Sequence, residues 1–225
     1  MALTEALPQA RLVDAHSTIS QIRLHKRSAD VAALRKAIAI SEAALEDTLR
    51  EVRVGMTETE VEAVLLRNLF AHGSDGLAFS PIVAAGDNSA KPHAKARADY
   101  RIRRGDSLLF DFGAAYGGYC AHITRTLLLL EPSAPGRASL ETVLMANEAG
   151  RAVSRPGATA HEVDDTVQKV LEASPFAQFR RHKTGHGLGM EVHEDPYIMR
   201  GNHAPLEPGM VYTVEPGLYR PGEAG

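Results

Sequence analysis

One cysteine, Cys120, is present among 225 residues. No internal disulfide can form, and such usage fits a reducing compartment. Cys120 reads as a small packing residue, not a nucleophile or ligand. An excess of one charge is also missing: the net charge is −3 and the pI about 6.4. That leaves no electrostatic footprint for nucleic acid or an anionic membrane surface. The short basic run Arg101-Ile-Arg-Arg104 reads as a solvated turn. The first residues, MALTEALPQARLVDAH, contain no basic segment leading into an apolar core. The longest aliphatic run, Leu127 to Leu130, is far too short to span a bilayer. A soluble chain without nucleic-acid or membrane partners is expected, cytoplasmic by default.

What is present supports a sizeable core, since 44% of the residues are hydrophobic and 24% charged. From Ser28 to about Val52, the residues Val31, Leu34, Ile38, Leu45, Leu49 and Val52 recur at helical spacing and predict a long amphipathic helix. In GMTETEVEAVLLRNL, Thr57 and Glu60 form the pattern of a capping box, with Val61, Leu65 and Leu69 turned inward behind it. In GATAHEVDDTVQKVL the device recurs 102 positions later: Thr159 and Glu162 repeat the cap, and Val163, Val167 and Leu171 the face.

A second echo follows the helices. RGDSLLFDFG (104–113) aligns with PGMVYTVEPG (208–217), each a turn glycine, an apolar β-rich run, one carboxylate and a closing glycine. Asp111 thus maps onto Glu215. A carboxylate on an apolar strand must be paired, protonated or bound to metal, because an unpaired buried charge is too costly. Two halves carrying one each would bring both toward a shared centre; the other reading is that each caps its own turn, Asp-Phe-Gly and Glu-Pro-Gly both being turn-like. The stretch FDFGAAYGGYCAHITRT reads as a hairpin that carries Asp111 inward and then offers His122.

Three further histidines stand out. His186 in TGHGLGMEVHEDP is flanked by glycines that let the backbone approach a site closely, and His193 follows seven residues later. A lone histidine on an apolar strand is usually a satisfied core group, but with Asp111 and Glu215 converging His186 reads as a ligand. HEDP is not the helical HExxH zinc motif, because no second histidine follows at the required spacing. His93, in GDNSAKPHAKA, reads on its own as an exposed loop histidine.

Together these stretches resemble the pita-bread metallopeptidases: aminopeptidase P, prolidase, creatinase and, more distantly, methionine aminopeptidase. The resemblance runs from about Ile22 to Gly225. It rests on RLHKRSADVAALRKA, NSAKPH, LLFDFGAAYGGY, ITRT, TGHGLGMEVHE and PGMVYTVEPG. NSAKPH and ITRT look more like the proline-directed branch. The resemblance implies an α+β fold of two pseudo-symmetric halves, a curved antiparallel sheet covered by helices. It also implies a metal-dependent exopeptidase of the Xaa-Pro aminopeptidase or prolidase type, acting through a metal-bound hydroxide on the bond before proline. The implied substrate is a small peptide with proline at the second position, and members of the family commonly form homodimers. In that family five side chains hold two divalent metals. Carried over by position, Asp111 would chelate one metal and His186 and Glu215 the other, while His93 and His193 would meet the substrate.

Two departures bear on the metals. The family has aspartate where this chain has His122, and its final glutamate falls a few residues beyond Gly225. Those two carboxylates bridge both metals in the family. Asp111 and Glu215 alone supply two negative charges, which match one divalent cation and under-compensate two. A neutral imidazole can be a terminal ligand but not a carboxylate-like bridge. One ion (Mn, Co or Zn) is therefore expected, held by His186 and Glu215 with help from His122 or Asp111. Residues 1–27 are similar to the exit strand and linker of an absent amino-terminal domain, and 28–225 to a catalytic-type domain cut short at its carboxyl end. Two other functions fit the same residues. One is a non-catalytic module binding a peptide or protein in the cleft; the other is a creatinase-like hydrolase needing no metal, with His122 as proton carrier.

Overall fold

Thr57 and Thr159 each open a helix by the reciprocal bonds that their spacing to Glu60 and Glu162 predicts. Each hydroxyl accepts from the glutamate amide at 3.2 and 3.1 Å, and each carboxylate accepts from the threonine amide at 2.7 and 2.6 Å. In the computed structural model, which describes residues 3–131 and 133–225, these caps begin α4 (Glu58–Ala71) and α6 (Ala160–Glu172). They are preceded by α1 (Leu3–Ala6), α2 (His16–Leu24) and α3 (Ser28–Glu51) in the first half, and by α5 (Ala134–Val153) in the second. The inward positions behind both caps are closed to solvent: Val61, Leu65, Leu69, Val163 and Val167 are 0% exposed. Each such side chain contributes about 1.5–3 kcal/mol by burial.

The face of α3 is turned from the one its large residues predict. Leu34, Ala37, Ile40, Ser41, Ala44, Leu45 and Thr48 are buried, whereas Leu49 is exposed. Small residues let this helix lie close to its neighbours, and Ser41 Oγ accepts from the Ala114 amide at 2.9 Å. A second correction concerns the linker. Residues read as an exit strand contain α2, in which Ser20 and Arg23 lie one turn apart and both reach the strand β8 described below.

The strands of the first half are β1 (Gly76–Leu77), β2 (Ile82–Ala85), β3 (Ser107–Phe112), β4 (Ala114–Tyr116), β5 (Tyr119–Cys120) and β6 (Ile123–Leu128). They form two antiparallel sheets, ordered β2-β3-β6 and β1-β4-β5. The expected hairpin is present in the pairing of β3 with β6, which sets Asp111 opposite Thr124. Its middle departs into the second sheet before returning. Residues 121–122 make that return, and His122 sits where the two sheets part. The packed face of β2-β3-β6, with Val83, Leu108, Phe110 and Phe112, joins α3 and α4 in one core.

The second half is sparser in regular strand. Among its described residues, only β7 (Gly185–Gly187) and β8 (Glu194–Ile198) pair as a ladder. The segment aligned with β3 runs extended beside β7 through Leu188 N to Val211 O (3.0 Å), Thr213 N to His186 O (2.8 Å) and Glu215 N to Thr184 O (2.8 Å). Helices α5 and α6 pack against each other, as α3 and α4 do, over two smaller apolar clusters. Among the described residues, no helix is long and apolar enough to cross a membrane.

Candidate metal and active site

Four segments deliver one side chain each to a common point. Asp111 comes from β3, His122 from the return between β5 and β6, His186 from β7, and Glu215 from the extended segment beside β7. Ring nitrogens of His122 and His186 and a Glu215 oxygen lie within 4.8 Å of one another. Asp111 borders this group, its Oδ1 2.9 Å from His122 Nε2 and accepting from the Thr124 hydroxyl at 3.2 Å. Glu215 Oε2 is 3.6 Å from the same His122 nitrogen. The two carboxylates aligned by the internal repeat therefore flank one imidazole.

Glycines make this closeness possible. A Cβ at Gly185 would stand 2.0 Å from Thr213 O, and one at Gly187 2.0 Å from Asp195 O. No side chain fits where the backbone on either side of His186 meets its neighbours.

The chemistry of the donors follows from their hydrogen bonds. His186 Nδ1 donates to Gly187 O at 3.0 Å, which assigns the ring proton to Nδ1 and the lone pair to Nε2. That buried Nε2 has no hydrogen-bond partner although Glu215 Oε1 is only 2.9 Å away. A lone pair and a carboxylate oxygen so placed repel unless a cation lies between them, either a proton or a metal ion. The buried Nδ1 of His122 is likewise without a partner. Thr213 donates its hydroxyl to Glu215 Oε1 at 2.9 Å and orients the carboxylate. The residues present thus fit a divalent cation: two imidazoles and a carboxylate, two of whose buried nitrogens are unsatisfied.

Burial works against a charge on His122, but the Asp111 hydrogen bond and the Glu215 and Asp111 charges outweigh it and raise its pKa. Burial likewise pushes Glu215 upward, but a proton in the His186–Glu215 gap, the His122 charge and the Thr213 hydroxyl outweigh it and bring it below the usual range. His193 moves down, first through burial and then through His186 and His122. Its ring meets His186 edge-on at 4.2 Å, while the rings of His122 and His186 lie nearly parallel at 5.2 Å. Beside His193 opens a cavity of about 310 Å³, whose walls include Arg23, Glu194 and Tyr197.

Of the six residues singled out from sequence, Asp111, His122, His186 and Glu215 are brought together and His193 adjoins them. His93 lies exposed on the loop after β2, with no hydrogen bond or ring contact to the group. Thr124, Thr213 and the edge of Phe79, 5.0 Å from the His122 ring, complete the surroundings and were not anticipated. The threonines could have been found by strand period, since each lies two residues from a site residue.

Residues 32–225 match the profile of metallopeptidase family M24. The chain belongs to that family. It is 35% identical over 207 residues to the Xaa-Pro dipeptidase of Pyrococcus furiosus, a match covering 92% of this chain and 59% of the relative. The X-Pro aminopeptidase from Thermotoga maritima MSB8 superposes with a TM-score of 0.93 at 37% identity, covering 99% of this chain and 63% of that one. The Xaa-Pro dipeptidase from Bacillus anthracis gives 0.93 at 36%, with 98% and 62% covered. The M24 chain described here shares their pita-bread fold and spans about three fifths of the length of these relatives. Peptidases of this family depend on divalent metal.

Proposed function

We propose that this M24 chain carries the catalytic centre of a metal-dependent exopeptidase of the Xaa-Pro dipeptidase or aminopeptidase type, hydrolysing the bond before proline in a small peptide. The observation that carries this reading is the meeting of His122, His186 and Glu215, with the His186 Nε2 lone pair unsatisfied. The names of its relatives supply the substrate class.

One divalent ion (Mn, Co or Zn) would be held by His186 and Glu215 with His122. When bound, it supplies Lewis-acid polarisation of the scissile carbonyl and acidifies water. The chain's own residues do the rest. Gly187 O fixes the His186 tautomer, Thr213 aims Glu215, and Asp111 holds His122 in place. His193, kept neutral, stands between this group and the cavity and can donate a hydrogen bond to the carbonyl oxygen as charge develops. His93 meets the substrate from its exposed loop. His122 is an imidazole and cannot bridge two cations as a carboxylate does, which is why a single tightly held ion is proposed.

A second reading, a cleft working without metal, draws on the His122–Asp111 contact at 2.9 Å, which occupies one carboxylate internally. Xaa-Pro dipeptides and tripeptides assayed with and without Mn²⁺, Co²⁺ or Zn²⁺ separate the two. Metal-stimulated cleavage supports the first. Cleavage only after His122→Asp favours a binding module, and turnover of creatine-like substrates in chelator favours a metal-free hydrolase.

A further inference from the structure

Glu58 opens α4, and its side chain is fully closed to solvent. A carboxylate removed from water needs its lone pairs filled by donors. Five bonds fill them here, and all come from the segment 85–97. Ala85 N donates at 2.7 Å, Asn88 Nδ2 at 2.9 Å, Arg97 N at 2.7 Å, Arg97 Nε at 3.2 Å and Arg97 Nη2 at 3.0 Å. The two ends of this segment are the end of β2 and the residues before Tyr100, so one carboxylate closes the loop. Asn88 Nδ2 also donates to Lys95 O at 2.9 Å, and Arg97 reaches Ala85 O and Asp87 Oδ1, each at 3.0 Å. The Arg97 guanidinium lies over the Tyr100 ring at 4.1 Å. His93 sits at the exposed turn of the loop so tied.

The second half repeats the device. Asp164, 4% exposed on α6, accepts from Thr184 N at 3.0 Å and Arg200 N at 2.6 Å, pinning the start of β7 just before His186 and the chain after β8. In both halves a buried helical carboxylate holds backbone of the segment that carries or leads into one of these histidines.

We infer that Glu58 is a positioning residue: by gathering both ends of the 85–97 segment onto one buried carboxylate, it sets where His93 stands. Its bearing on catalysis rests on the reading that His93 meets the substrate. Arg97 is the ion-pair partner of that carboxylate and ties the far end of the loop to it.

The test combines amide exchange over 86–97 with binding of Gly-Pro in the presence of Mn²⁺, on Glu58→Gln, Arg97→Gln and His93→Ala chains. Glu58→Gln should speed exchange of the loop amides by roughly tenfold or more while α3, β3 and β6 keep theirs. Arg97→Gln removes two of the five bonds and should give the same pattern in milder form, which covers the case in which Glu58→Gln does not fold. Unchanged loop exchange, or an equal rise across α3, β3 and β6, overturns the inference. His93→Ala reports on the substrate reading by itself: unaltered Gly-Pro affinity removes that reading, and loop exchange still judges Glu58. When both hold, Glu58→Gln weakens Gly-Pro binding as His93→Ala does, and the double variant binds no more weakly than His93→Ala.

Discussion

His186 Nε2 and Glu215 Oε1 face each other at 2.9 Å without a hydrogen bond between them. The His186 proton is on Nδ1, held by Gly187 O, so a cation in the gap turns repulsion into ligation. Adding Mn²⁺ or Zn²⁺ to chelator-treated protein should raise Tm and saturate at one ion per chain. Full occupancy at 100 times Kd corresponds to about 2.7 kcal/mol of stabilisation. His186→Ala and Glu215→Gln should each weaken binding by on the order of tenfold to a hundredfold, which titration calorimetry reads directly. Two ions of equal affinity would overturn the single-ion reading.

His122→Asp tests the same reading from the other side. It replaces an imidazole lying between Asp111 and Glu215 with a third carboxylate. Without metal the three acids repel, so Tm in chelator should fall below that of the native chain. With Mn²⁺ the gain in Tm should exceed the native gain, and cleavage of Xaa-Pro peptides should rise with it. An unchanged metal response would show that His122 does not limit charge compensation.

The metal-free protein should have a defined pH window. His122 is raised: burial opposes its charge, but Asp111 and Glu215 prevail. Its contribution is fully present below its unfolded pKa, about 6.5, and is lost as pH rises through the higher folded value. Glu215 is lowered, so its contribution is present above about 4.5 and lost as pH falls through the folded value. Urea unfolding in chelator should therefore give greatest stability between about pH 4.5 and 6.5, with a decline on the alkaline side that disappears in His122→Phe. Persistence of that decline in the variant would assign it to another group.

The two halves were legible because their signals are local. A threonine three residues before a glutamate specifies a cap, and a turn glycine before an apolar run specifies a strand start. Asp111, His122, His186 and Glu215 were legible because the repeat aligns the two carboxylates and because charges on apolar strands need partners. What was not legible depends on distance in space. The rotation of α3 follows from small residues that pack closely, which a pattern of large apolar residues does not register. Residues 16–24 form a helix whose Ser20 and Arg23 find Asp195 and Glu194, partners more than 170 positions away. Glu58 looks like an ordinary first-turn acid, since its donors lie on a loop 27 to 39 residues on.

The glycines around His186 give a prediction about the backbone itself. A Cβ at Gly185 would press on Thr213 O at 2.0 Å and on the Thr213 side chain, the group that orients Glu215. The extended segment that carries this carbonyl cannot retreat without losing the Thr213 N to His186 O and Glu215 N to Thr184 O bonds. Gly185→Ala should therefore cost about 3 kcal/mol in urea unfolding, at the upper end for overpacking. Metal affinity should fall as well, because relief moves residues 213–215 away from His186. Gly76 is the control: its Cβ would meet nothing within 4 Å and its φ is not positive, so Gly76→Ala should stay within about 0.5 kcal/mol of the native chain. Equal costs for the two substitutions would show that the second half yields more readily than its packing requires, and that His186 is not held by close backbone approach.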